Sequence, residues 1–517
     1  MKNELKENGI LYLQAALMGL LPLVCCLVHC AMEGYSIGQV YLANSEWNDE
    51  LFYFKQVESI LSHGYPQGYF GFNESHALKL SFAAWSPVLV WPWLLLGSIF
   101  GWTMMSPIYY NIVLMMLTMV AFVLIVKPTW KQLGILTILF CTYTPFVRYM
   151  LCGMPEVICF SMLITYFSVM VSNLEKPTRS KLVWLIVFAS VMTLMRPYLI
   201  LFLLYPLGAL ILEKKWKGGL ISAGILGVVA VIYWAINHYL GAEYFTPLFK
   251  TDWLDPFFEG HFLQGIKGIL VSLYYNGSTF KNLLIEGLRS GLCEGAIFAG
   301  YVAMMLLFAM QAVVEFVKKR RKQAFTYGYL AFSFFSMMIA LLLMYKMKEG
   351  SKHLLTFMAV GIFAVALMET RYYKKAMFIG AMCIYLYYIK ATEPYDYQVP
   401  FASEERTAQL AYWEETFEEK LSLDMMDTPS YNNVAIWVFS DKVGEEYRLT
   451  DWQIFYALPE GFGISCCYDS YIVENFGSLH SKYIAVPSGG TIAQMCEDAG
   501  KVLIGADADV CFYQLYD

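Results

Sequence analysis

The sequence predicts an all-α polytopic membrane protein, with about 11 transmembrane helices, that ends in a small extracytoplasmic α/β domain. Three observations predict it. Of 517 residues, 58% are hydrophobic, 17% aromatic and only 15% charged, whereas soluble chains carry about 25% charge. The apolar residues gather into runs, many of them near the ~20 residues that cross a bilayer. Beyond residue 391 the runs stop, and Glu404, Glu405, Glu414, Glu415, Glu418 and Glu419 open a polar stretch.

In chain order the first run, 10–31, follows Lys2 and Lys6. It exceeds the 7–15-residue apolar core of a secretory signal and reads as an uncleaved anchor. Further spans are expected at 107–126, 133–151, 156–173, 182–195, 198–212, 219–239, 293–316, 325–345, 354–368 and 376–390. Lys and Arg concentrate at the N-terminus and at 127–131, 174–181, 213–217, 318–322 and 369–375, which hold 18 of the 36 basic residues. Basic junctions are cytoplasmic. Eleven crossings that start inside place all of them on one side and leave 32–106, 152–155, 240–292, 346–353 and 391–517 outside. The run 82–100 holds Pro87, Pro92 and three tryptophans, Trp85, Trp91 and Trp93. As a crossing it would invert every later junction, so it is expected as an interfacial or re-entrant helix on the outer face.

The expected organisation is a transmembrane domain over 1–390, with a first outer loop at 32–106 and a long outer loop at 240–292, a linker at 391–401, and an accessory domain at 402–517. In that last domain a polar helix precedes strand-like runs at 434–439, 483–486, 502–505 and 510–515, with a helical run from Thr491 to Asp498. The formal net charge of −6 supplies no bulk basic field for nucleic acid. Cys25, Cys26, Cys30, Cys141, Cys152, Cys159, Cys293 and Cys383 lie in or beside apolar runs without metal-ligand spacing, and read as small core hydrophobes. Cys466, Cys467, Cys496 and Cys511 lie in the outer domain, where the sequence leaves their pairing open. No Gly-rich phosphate loop and no internal repeat is present.

The first outer loop carries the most specific pattern. Ser45-Glu46-Trp47-Asn48-Asp49-Glu50-Leu51-Phe52-Tyr53-Phe54 leads through Val57, Ile60 and Leu61 to His63-Gly64-Tyr65-Pro66. Asn48 is an N-cap, Gly64 and Pro66 are stop signals, and Leu51, Phe54, Val57 and Leu61 share one helical face, so an amphipathic helix is expected on the outer surface. The N-terminus of that helix favours ionised Asp49 and Glu50, and capping is the plainer reading of the pair. Other outer junctions carry Glu156 after Pro155, Arg196 before Pro197, and Lys352-His353 before Leu354.

Taken together, a first span, an Asp-Glu pair with an aromatic three or four residues on, a surface helix and His-Gly-Tyr-Pro resemble the GT-C superfamily of membrane glycosyltransferases. That group includes protein O-mannosyltransferases, aminoarabinose transferases and oligosaccharyltransferase catalytic subunits. The resemblance covers roughly residues 1–390 in topology. It implies that Asp49 is the catalytic acidic residue with Glu50 its neighbour, that Glu156 stands at the second acidic position, and that Lys352 and His353 hold a lipid phosphate. Many members have Asp where this chain has Glu156.

The chemistry is intelligible on its own terms. Transfer of a hexosyl or pentosyl group from a polyprenyl-phosphate-linked sugar to an acceptor hydroxyl needs a base for the hydroxyl proton and cations for the leaving phosphate. Asp49 is the expected base, and Arg196, Lys352 and His353 the phosphate-binding cations, with inversion at the anomeric carbon. The expected partners are that donor, a glycan, lipid or protein acceptor and membrane lipid, without nucleic acid. No cofactor is indicated, and no Asp-x-Asp motif lies near either acidic position. Plainer readings are snorkelling for Arg196, a topology anchor for Lys352 and a helix start for Glu156. In the long outer loop Asp252, Asp255, Glu259 and His261 flank Trp253 and the Pro256-Phe257-Phe258 run, and read as part of a mobile lid more readily than as a metal cluster. Two other function classes compete: a lipid-linked glycan transporter or flippase, which needs ionisable groups in mid-span, and a non-catalytic scaffold or sensor. Localisation is expected in the cell membrane, with a cytoplasmic N-terminus and an extracytoplasmic C-terminal domain.

Overall fold

The computed structural model describes residues 2–64, 69–74, 86–240, 251–290, 293–344, 347–368, 399–422, 431–439 and 451–517. The first half of the chain runs α1 (Lys2–Met32), α2 (Asp49–His63), α3 (Trp91–Phe100), α4 (Ser106–Val126), α5 (Trp130–Thr142), α6 (Pro145–Met150), α7 (Glu156–Glu175), α8 (Arg179–Met195) and α9 (Leu204–Leu212). It continues through α10 (Trp216–Leu240), α11 (Asp255–Phe258), α12 (Phe262–Ser290), α13 (Cys293–Val317), α14 (Arg321–Met344) and α15 (Met347–Leu367).

Six of these, within α1, α4, α7, α10, α13 and α14, are long and apolar enough to cross a membrane. Four shorter apolar helical stretches, Pro87–Phe100, Trp130–Thr142, Pro197–Leu212 and His353–Leu367, lie among them, and this is a multi-pass membrane protein. The expected span 133–151 is broken in two, because Thr144-Pro145 ends α5 and starts α6. The expected span at 376–390 lies outside the described residues. Residues 87–100 form a 3-10 turn and the ten-residue α3, whose rise of about 15 Å is half a bilayer core.

Helix α4 packs between α1 and α7, and α15 packs against α5, α7 and α13. Close approach of α1 to α4 depends on Gly19, where an added Cβ would stand 2.6 Å from Val120 Cγ2. From Leu354 to Ala366 almost every side chain of α15 is buried, as expected of a helix apolar on all faces. Asn111 ties neighbouring helix ends together. Its Oδ1 accepts from Trp93 Nε1 at 2.9 Å, and its Nδ2 donates to the carbonyls of Tyr149 and Cys152 at 3.2 and 3.1 Å. Asn111, which falls inside the expected span 107–126, therefore holds α3 and the turn after α6 in place.

The described part of the expected long outer loop, residues 251–290, is mostly helical. Asp252, Asp255, Glu259 and His261 are all exposed around the short α11. Phe257 then packs against Gly265 at the start of α12, a 29-residue helix running beside α13 and α14. The lid reading overlooked its apolar stripe, Leu263, Ile266, Leu270 and Tyr274, at helical spacing.

In the C-terminal part α16 (Glu404–Lys420) precedes a six-stranded sheet of order β1-β3-β2-β4-β6-β5. Its strands are β1 (Tyr69–Phe72), β2 (Val434–Phe439), β3 (Gly463–Tyr468), β4 (Tyr483–Pro487), β5 (Val502–Ala506) and β6 (Val510–Gln514). Pairings from β1 to β4 are parallel, and β6 pairs antiparallel with β4 and β5. Helices α17 (Asp469–Asn475) and α18 (Thr491–Asp498) cover one face through Ile472, Ile492 and Cys496. On the other face lie Leu410, Trp413 and Phe417 of α16 and residues continuous with the membrane core. Both faces being covered, the central strands β2 and β3 are buried along all but their last residue. Cys466, Cys467, Cys496 and Cys511 are all free thiols.

Strand β1 comes from the first outer loop, so the sheet does not belong to 402–517 alone. The Glu74 carboxylate, just after β1, accepts from the backbone amides of His480 and Ser481 at 2.6–3.1 Å. The stretch before α16 is pinned in the same way: Tyr41 N–H donates to the Pro400 carbonyl at 2.7 Å, and Phe401 stacks on Tyr35 at 4.1 Å.

Candidate active site

Helix α2 forms where the first-loop pattern expects it. Asn48 occupies the N-cap position without a side-chain cap bond, and Gly64 ends the helix at φ 79°, a conformation that favours glycine. The expectation of a helix with one exposed face is not met: Glu50 through Val57 are all buried. The reason is the terminal domain lying across it. Lys55 Nζ donates to the Leu458 carbonyl at 2.6 Å while pairing with Glu58 at 2.8 Å, Phe52 meets Trp437 at 6.1 Å, and Phe54 meets Tyr456 at 5.5 Å.

At the start of α2, Asp49 is half-buried and Glu50 wholly buried. Gly153 packs directly on Glu50; an added Cβ there would meet Glu50 Cβ and Leu42 Cδ1, each at 3.1 Å. Neither Glu50 oxygen makes a well-formed hydrogen bond among the described residues. Burial pushes its carboxyl up to about 7, against the opposing pull of the Arg148 guanidinium, the Gly153 amide and the Ser45 hydroxyl, and with a small push from Asp49.

Arg148, at the end of α6, stands 4.0 Å from Glu50 Oε1 and is itself buried. Its guanidinium lies over the Trp47 ring at 4.1 Å, and Trp47 stacks on Tyr149 at 5.4 Å, a cation–π arrangement that suits the planar arginine head. Its Nε and Nη1 make no hydrogen bond among the described residues.

A second arm begins four residues beyond Cys152. Glu156 opens α7, and its Oε1 accepts from Arg196 Nη2 at 2.6 Å, both side chains being buried. Proline 197 forces Arg196 into extended backbone (φ −145°, ψ 124°), which ends α8 and turns the chain into a 3-10 helix. From that turn Arg196 Nη1 donates to Tyr198 Oη at 3.0 Å, and the Tyr198 ring meets His353 edge-on at 5.3 Å. Cys152 lies between the arms, within the electrostatic range of Glu50, Arg148 and Glu156 alike.

Four of the six sequence-derived site residues, Glu50, Glu156, Arg196 and His353, are thus buried in one region, with Asp49 at its edge. Lys352 lies next to His353 in α15, its side chain outside the described residues. Sequence reasoning missed Arg148, which it absorbed into the expected span 133–151. The signal was an arginine inside an apolar run, which ordinarily marks a site. It also missed Tyr198, visible only once the Arg196-Pro197 turn is built. Among the described residues no three His, Cys, Asp or Glu side chains converge to hold a metal ion.

Fold and site define a class: a multi-pass membrane protein whose carboxylates and arginines meet at one end of its helix bundle, beneath a small α/β domain. No family model matches the chain, and no curated protein does. Solved structures are similar at low identity. The crystal structure of the Archaeoglobus fulgidus oligosaccharyltransferase in the apo form matches over 93% of this chain and 69% of that one, at 13% identity and a TM-score of 0.47. ArnT from Cupriavidus metallidurans bound to undecaprenyl phosphate matches over 97% of both chains, at 9% identity and a TM-score of 0.44. The apo state of the same protein matches over 97% of both, at 11% identity and 0.44.

Proposed function

We propose that this chain is a membrane glycosyltransferase that moves a sugar from a polyprenyl-phosphate-linked donor to an acceptor hydroxyl on the extracytoplasmic face. The observation that carries the reading is the convergence of Asp49 and Glu50 with two buried arginines, Arg148 and Arg196, at one end of an apolar bundle. Buried cations are expensive unless an anion meets them; Arg196 is met by Glu156, whereas Arg148 has Glu50 only at 4.0 Å and two nitrogens without a hydrogen bond among the described residues, and a lipid phosphate is the anion that a membrane face presents.

In the proposed reaction the acceptor oxygen attacks the anomeric carbon as the carbon–oxygen bond to phosphate breaks. The hydroxyl proton goes to Asp49 and the bonding pair leaves on the phosphate oxygen. One displacement inverts the anomeric centre. Arg148, with two donor nitrogens unused, takes a phosphate oxygen. Arg196, shared with Glu156 and Tyr198, adds its charge together with Lys352 and His353. Glu50, poised near 7, takes up a proton as the phosphate arrives, because its own charge competes for Arg148.

Purified full-length protein incubated with radiolabelled polyprenyl-phosphate sugars tests the reading through loss of label from the lipid. At least one donor of a hexose and pentose panel is expected to be consumed only when acceptor membranes are present. Failure of every donor, by protein that is folded and inserted, would refute it.

A further inference from the structure

At the other ends of α7 and α15, about 28 Å along α7 from Glu156, the helices part around a cavity of about 270 Å³. Phe167, Leu330 and Leu367 are among its apolar walls, and the polar lining comprises Gln311, Glu315 and Arg320 together with Gln323, Thr326, Tyr327 and the exposed carboxylate Glu175. Gln311 Nε2 donates to Glu315 Oε1 at 2.9 Å, which fixes the amide, since the flipped amide would set its oxygen against a carboxylate. Gln311 Oε1 is then a buried acceptor without a hydrogen bond among the described residues, on a side chain only 3% exposed. Among the described residues Glu315 Oε2 is likewise buried without a hydrogen bond and is met by the Arg320 charge at 3.6 Å, while Lys318 stands 3.8 Å from Oε1. Both cations are half-exposed, and Arg320 lines the cavity.

Buried acceptors left unmet cost free energy, so the floor calls for N–H donors, preferably charged ones. The mouth calls for an anion, and the walls call for hydrocarbon. One headgroup joins these in that order: a primary ammonium two carbons from a phosphate that carries acyl chains. We propose that this cavity is a binding site for a phosphoethanolamine-type phospholipid, its ammonium on Glu315 and Gln311 and its phosphate on Arg320. The site stands apart from the glycosyl-transfer reading, lying at the opposite end of the bundle with none of the same residues. Its position at the basic junction 318–322 sets it at the end of the apolar helices, where a lipid headgroup can reach it.

The test is native mass spectrometry of the full-length protein in detergent, titrated with dioleoyl-phosphatidylethanolamine, its N-methyl and N,N-dimethyl forms, the phosphatidylcholine and the phosphatidylglycerol. Each methyl group removes an N–H donor, so retention is expected to fall stepwise, reaching roughly tenfold between the first and the choline lipid. Phosphatidylglycerol is expected to bind no better than the choline lipid, and free phosphoethanolamine to leave bound lipid in place. In Glu315→Gln the preference is expected to disappear. A flat methyl series, phosphatidylglycerol binding equal to that of the ethanolamine lipid, displacement by free phosphoethanolamine, or an unchanged preference in Glu315→Gln would each overturn the proposal. The methyl series needs no variant, so a folding defect in Glu315→Gln cannot mask the answer.

Discussion

Replacing Glu50 by Gln removes a buried titration and keeps the side-chain shape. The carboxyl is raised from 4.5 to about 7 in the folded protein, and each unit is worth about 1.4 kcal/mol, so ionising it in place costs about 3 kcal/mol. The sign follows from proton counts. Below about 4.5 both states hold the proton and no penalty exists. Between 4.5 and 7 the folded state holds more proton than the unfolded one, so stability falls as pH rises, and above 7 the loss is complete. Gln never ionises. Glu50→Gln is therefore expected to gain about 3 kcal/mol over the original protein between pH 4.5 and pH 8, seen in detergent as a melting difference that grows by a few degrees and flattens above pH 7. Other titrating groups are common to both proteins and cancel in the difference. Intrinsic tryptophan fluorescence, followed through thermal melts at half-unit pH steps, reads it directly. A pH-independent difference, or a variant that loses stability as pH rises, would refute the reasoning. It would mean that Arg148 holds Glu50 as an ordinary ion pair.

Two further outcomes follow from the same geometry. Because the incoming phosphate and ionised Glu50 compete for Arg148, donor-lipid affinity is expected to fall about tenfold per pH unit above 7, a slope that equilibrium binding should find absent in Glu50→Gln. Breaking the buried Glu156–Arg196 pair from either side, by Glu156→Leu or Arg196→Met, is expected to cost about 3–5 kcal/mol, whereas the double variant recovers most of that stability. Donor turnover by the refolded double variant should stay low, which separates the packing role of the pair from its role in the reaction; recovery of turnover along with stability would leave Arg196 without a chemical role.

How much the sequence reveals depends on how local each cause is. Helix α4, the polar helix at Glu404 and strands β2, β4, β5 and β6 are legible because a short window carries their apolar pattern. Strand β3, Gly463–Tyr468, is not. Its Ser465-Cys466-Cys467 core lacks the β-branched run that marks a strand, and its cysteines draw the eye to redox chemistry. Strand β1 has four residues and a partner nearly 400 positions away, so only the folded chain can place it. The site divides along the same line. Asp49, Glu50, Glu156, Arg196 and His353 are visible as charged or polar groups at the ends of apolar runs. The burial of Glu50 depends on Gly153, and that of the helix it opens on Leu458 and Tyr456 of a domain 400 residues further on. Arg148 is legible in principle, but the apolar residues around it outweighed its charge.

The most direct test of the central claim is single-turnover transfer from a radiolabelled polyprenyl-phosphate sugar by Asp49→Asn, with donor binding and folding measured on the same preparation. Asparagine keeps the shape and the hydrogen-bonding capacity but cannot accept the hydroxyl proton. Donor binding should survive while the chemical step slows by about 10² to 10⁴. If Asp49 only caps α2, stability falls by roughly 0.5–2 kcal/mol and turnover per folded molecule is unchanged. Near-original turnover by well-folded Asp49→Asn protein would contradict the account.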